Sequence, residues 1–85
     1  MEGVTEGRIV HYVLSNGDHR AAIIARVFAG GEMTGVVNLY VFLDGENDKH
    51  VPHGAEYAPG IVWATSAHYD EAGDKEHTWH WPERV

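Results

Sequence analysis

The chain has no cysteine, only three prolines and only six lysines and arginines against thirteen acidic residues. Without cysteine there is no disulfide framework, no thiolate nucleophile and no thiolate metal site. The formal charge of −7 opposes the many phosphate contacts that hold proteins on duplex DNA or long RNA, so duplex nucleic acid is excluded as a partner. No apolar run approaches the roughly 20 residues needed to cross a bilayer. The start Met1-Glu2-Gly3-Val4-Thr5-Glu6 lacks the basic and apolar regions of a signal peptide, so the chain is expected to stay in the cytoplasm where it is made.

Eighty-five residues form one domain, residues 1–85, which buries roughly 60 to 65% of its unfolded surface on folding. So thin a core, unsupported by disulfides, favours a homo-oligomer in which a second copy adds burial.

Residues 8–14 are β-branched and aromatic and stop at Ser15-Asn16-Gly17-Asp18, the pattern of a strand and a tight hairpin. Asn-Gly favours the two-residue type I′ turn, whose central residues both need positive φ. In the return strand, Arg20 to Phe28, alternation separates two rows: Ala21, Ile23, Ala25 and Val27 are expected to face the core. Arg20, Ala22, Ile24, Arg26 and Phe28 fall on the other side. A glycine-rich loop follows. Residues 36–43 are almost continuously apolar, so the face carrying Val36, Asn38, Tyr40 and Phe42 needs cover from barrel curvature or another subunit. Residues 46–60 read as a loop or lid. A strand from Ile61 to Tyr69 places Trp63, Thr65, Ala67 and Tyr69 on one side, and Glu76 to Trp81 make a last short strand ended by Pro82. Five short strands without a helical segment predict an all-β fold, a small five-stranded antiparallel barrel of SH3-like type, with another split Greek-key barrel as the alternative.

Little in the sequence carries chemistry. His50 and His53 share a loop but lack further zinc ligands nearby, His77 and His80 point to opposite faces of a strand, and His11 and His68 fit a barrel wall. No metal set and no cofactor are expected. Asp44-Gly45-Glu46-Asn47-Asp48 resembles the start of a calcium loop but has its glycine at the second position and Ala55 at the twelfth. Ser66 and His68 share a face without a nucleophile elbow around the serine, so no enzyme is expected.

What remains is a binding constellation. Tyr12, Tyr40, Trp63, Trp79 and Trp81 supply aromatic faces, Arg20 and Arg26, with Arg8, supply charge, and Asn38, Thr65 or Ser66 supply hydrogen bonds. Stacking a nucleobase on such faces contributes about 1 to 3 kcal/mol, and an arginine fork matches a phosphate. The competing reading of the tryptophans is structural, as caps of the barrel ends.

The segments Gly7 to Leu14, His19 to Val27, Val37 to Gly45, Trp63-Ala64-Thr65-Ser66 and Thr78-Trp79-His80-Trp81-Pro82-Glu83 together resemble a family of small uncharacterised bacteriophage proteins. The resemblance spans nearly the whole chain and implies no activity or functional residues. It implies a context, an accessory protein inside an infected bacterium. From it follow two expectations: a sponge that sequesters a small anionic nucleotide-type immune signal without turnover, using Arg20 and Arg26 for phosphate, Tyr12, Trp79 or Trp81 for the base and Asn38 for an edge; or an acidic protein-binding inhibitor of a host or defence protein.

Overall fold

A computed structural model describes residues 3–28, 30–45, 48 and 60–83. Five strands, β1 (Ile9–Val13), β2 (His19–Val27), β3 (Val37–Phe42), β4 (Ile61–Tyr69) and β5 (Thr78–His80), close in chain order into a barrel, with a 3-10 turn at Gly31–Met33. The fold is all-β, and no helix among the described residues is long and apolar enough to cross a membrane. Most of the loop expected at 46–60 lies outside the described residues.

Four of the five pairings are antiparallel and the fifth, β4 with β5, is parallel through His68↔Thr78 and Tyr69↔Trp79. The fully antiparallel expectation is corrected by parity. Strand direction must alternate around a closed antiparallel ring, which an odd number of strands cannot do, so one pair runs parallel. The turn between β4 and β5 makes this possible. Asp70 Oδ2 accepts the N–H groups of Asp74 (3.2 Å) and Lys75 (3.0 Å), and Asp70 N donates to Trp79 O (2.9 Å).

The first hairpin forms where expected, with a different turn. Leu14 N donates to Asp18 O and Gly17 N to Leu14 O, so three residues rather than two make the loop. Gly17 takes φ +91° while Asn16 stays out of the positive region, and Asn16 Oδ1 instead accepts the Asp18 N–H at 3.0 Å. The type I′ turn is thus replaced by a longer loop in which glycine alone carries the left-handed residue.

The core gathers Val10, Tyr12, Leu14, Ala22, Ile24, Val37, Leu39, Val41, Val62, Ala64, Ala67 and Trp79. Ala22 and Ile24 are inside, opposite Val41 and Leu39, whereas Ala21 and Ala25 are exposed. Ala21, Ile23 and Ala25, assigned to the core, are therefore on the outer side, whereas Val27, beyond the bulge, packs against the core as expected. A bulge between Ile24 and Arg26 breaks the alternation, so an inward Ile24 and an outward Arg26 coexist on one strand. A second bulge sits opposite Asn38, between the pairs Val37↔Ala67 and Leu39↔Ala64. It turns Ala67 inward although Trp63 and Thr65 face out. Ser66 there adopts φ +53°, and Asn38 Oδ1 accepts its N–H at 2.8 Å.

Tyr12 is enclosed, with its hydroxyl 3.0 Å from His77 Nδ1. Burial, aided by Glu76, pushes its phenol up to about 12. A raised folded value contributes stability that is complete below the unfolded value near 10 and is lost as pH rises toward 12. Urea midpoints should fall between pH 9.5 and 11.5, as set points bracketing that rise, and Tyr12→Phe should flatten the fall.

Candidate functional site

Two surfaces concentrate chemistry. The first is a belt on the outer face. Strand register places Ile9 against Ile23, Ile23 against Tyr40 and Tyr40 against Trp63, with Phe42 against Ile61 in the adjacent row. Directly paired residues point to the same side of a sheet, so these side chains form one apolar strip across four strands. Ile9, Tyr40, Phe42, Ile61 and Trp63 are between 37% and 59% exposed. Val36, expected on this face, is instead buried. A contiguous outward patch of this kind marks a contact surface, whereas scattered single apolar residues do not.

The expected binding residues divide between surface, core and frame. Arg26, Asn38, Tyr40 and Trp63 share the outer face, since Arg26 pairs with Asn38 beside the Tyr40 and Trp63 row. Arg26 lies over Phe28 at 4.6 Å. Asn38 reads no ligand edge with its Oδ1, which holds the Ser66 N–H and receives Thr65 Oγ1 at 3.3 Å. Tyr12 and Trp79 are core residues. The Trp79 indole N–H donates to Gly35 O at 2.7 Å, and Tyr69 packs against the ring. Trp81 stands edge-on to Trp79 with Arg8 over its ring at 5.2 Å. Arg20 grips a carboxylate in two-pronged fashion, Nε to Asp48 Oδ2 and Nη2 to Asp48 Oδ1, both 2.6 Å, with Asp48 buried. Its guanidinium is engaged in the frame, and Tyr12 and Trp79 offer no open face for stacking. These positions correct the gathering expected of Arg20, Tyr12 and Trp79 with the other aromatics. Strand alternation gives sides, but the closure of the barrel decides which side is inside.

The second surface was missed from sequence. His11 on β1 pairs in register with His80 on β5, and His19 opens β2 beside them. After Pro82 the chain brings Glu83 back to all three: His11 Nδ1 to Oε2 at 2.8 Å, His19 Nδ1 to Oε1 at 3.1 Å and His80 Nε2 to Oε1 at 2.6 Å. The carboxyl is pulled down to about 2, first by its own backbone N–H, then by His11 and His80. His11 and Glu83 are 72 residues apart, which is why no partner for His11 was visible along the chain. The only advance signal was the abundance of histidine. His77 stays apart from His80, as strand alternation indicated, because it precedes β5 with φ +63° and bonds to Tyr12. His50 and His53 lie outside the described residues.

No family model, curated protein or solved structure matches the chain.

Proposed function

We propose that this chain is a non-catalytic binding protein whose outer β1–β4 face docks a protein partner, the inhibitor reading of its sequence. The observation that carries this is the register-matched strip of Ile9, Ile23, Tyr40 and Trp63, with Phe42 and Ile61 beside it. Tyrosine and tryptophan flanked by aliphatic side chains are the groups that most often dominate association energy. The net charge of −7 favours the long-range approach of a basic partner over that of a second, equally acidic copy. If the resemblance to bacteriophage proteins holds, that partner is a host or defence protein.

The test is photocrosslinking in bacterial lysate from a reactive amino acid at position 63 and, as a control, at position 71 outside the belt. The expected result is one protein adduct from position 63 alone. Binding of that protein, once purified, should weaken at least tenfold with Ile61→Asp. Equal capture from both positions, an affinity indifferent to Ile61→Asp, or an adduct consisting only of a second copy overturns the reading.

A second reading has one specific support: Arg26, Asn38, Tyr40 and Trp63 share a face, as a nucleotide sponge requires. Under it, a cyclic dinucleotide raises the melting temperature of the wild type and not of Trp63→Ala or Arg26→Ala.

A further inference from the structure

We propose that His11, His19, His80 and Glu83 bind one divalent transition-metal ion of the zinc class, fastening the C-terminal segment to the β1–β2 hairpin. Each residue offers one ligand atom, and the four atoms all lie within 4.8 Å of one another. Ligands on a tetrahedral zinc ion with bonds of about 2.0 Å sit about 3.3 Å apart. The contacts of 2.6 to 3.1 Å between the imidazole nitrogens and the Glu83 oxygens need only a small expansion to reach that spacing.

The donor types select the ion. Three imidazoles and one carboxylate suit zinc, cobalt, nickel or copper, whereas calcium and magnesium demand mostly oxygen. With neutral imidazoles, a divalent ion outweighs the single carboxylate charge.

The site is built rather than assembled from loose surface groups. His11 and His80 are held by barrel pairing, and His80 is buried with its ring against Gly73, where an added Cβ would meet ring atoms at 3.1 to 3.2 Å. The three rings stand edge to face, with centroids 4.7 Å (His19 and His80), 5.6 Å (His11 and His80) and 6.4 Å (His11 and His19) apart. That crossed packing directs their nitrogens to one point instead of stacking the rings past it. Ligands already in place cost less ordering when the ion arrives.

The location suggests what the ion does. β5 has only three residues, and two register pairs join it to β1. One ion bridging β1, β2, β5 and Glu83 locks that seam, a form of reinforcement open to a small domain without disulfides.

The test uses the full chain stripped with chelator, then titrated with Zn2+ and with Co2+, and read by native mass, calorimetry and Co2+ absorption. The expected result is one ion per chain, the visible bands of four-coordinate Co2+, and a melting temperature that rises with Zn2+. His11→Gln and His19→Gln lie at partly exposed positions, where the metal-free fold should survive by circular dichroism. Each should weaken Zn2+ at least tenfold and cancel the thermal shift, while His68→Gln should change neither. Zn2+ binding unaltered in the His11→Gln, His19→Gln double variant overturns the proposal. So does a six-coordinate Co2+ spectrum, or a stoichiometry above one that His68→Gln reduces.

Discussion

Trp79→Ala should leave little folded protein at room temperature, the largest single effect expected in this chain. The indole is completely buried among Val10, Tyr12, Leu39 and Ala67 in one cluster, and its N–H satisfies Gly35 O. Removing a buried tryptophan costs about 3 to 5 kcal/mol through lost transfer energy and the cavity left behind. The orphaned Gly35 carbonyl adds about 1 to 3 kcal/mol. A domain of this length has about 4 to 13 kcal/mol in all, so the loss consumes most of it. Trp79→Phe separates the two terms, because it keeps most of the apolar volume and loses only the hydrogen bond and part of the packing. Trp63→Ala is the contrasting variant: its ring is half exposed on the outer face, and the urea midpoint should barely move. Equal destabilisation by Trp63→Ala and Trp79→Ala would show that the barrel does not enclose Trp79 as described.

Arg20→Met should cost about 3 to 5 kcal/mol, because it takes the neutralising cation away from a buried carboxylate. Asp48 is buried, and besides its two contacts with Arg20 it accepts the Asp44 N–H at 2.5 Å. The pair ties the entrance of β2 to the segment that follows β3. Pairing Arg20→Met with Asp48→Leu should recover much of the loss, since the buried carboxylate is then removed along with its cation, although the Asp44 N–H loses its bond to Asp48 Oδ2. The double variant should therefore be more stable than Arg20→Met alone, the sign of a coupled pair. Thermal melts of the single and double variants measure it. A phosphate-binding Arg20 predicts the opposite, an unchanged melting temperature in Arg20→Met together with lost ligand affinity.

The amino-acid order on its own determined the five strands, the first hairpin and the all-β class. Those are local properties, set by β-branched and aromatic runs and by the chain-reversing Ser15-Asn16-Gly17-Asp18, each legible within a few residues. It also named Arg26, Asn38, Tyr40 and Trp63, which share one face, but could not separate them from Tyr12, Trp79 and Arg20. Alternation says that two residues point the same way; it does not say whether that way is toward solvent or core. The bulges at Ala25 and Ser66, each a single extra residue, reset the alternation midway and are invisible to a two-residue period. Only the closed barrel decided these matters. Closure fixed the parallel β4–β5 pair by parity, sealed Trp79 inside, and brought Asp48 to Arg20. It also set Glu83 against His11, His19 and His80, contacts separated by up to 72 positions that no local pattern encodes.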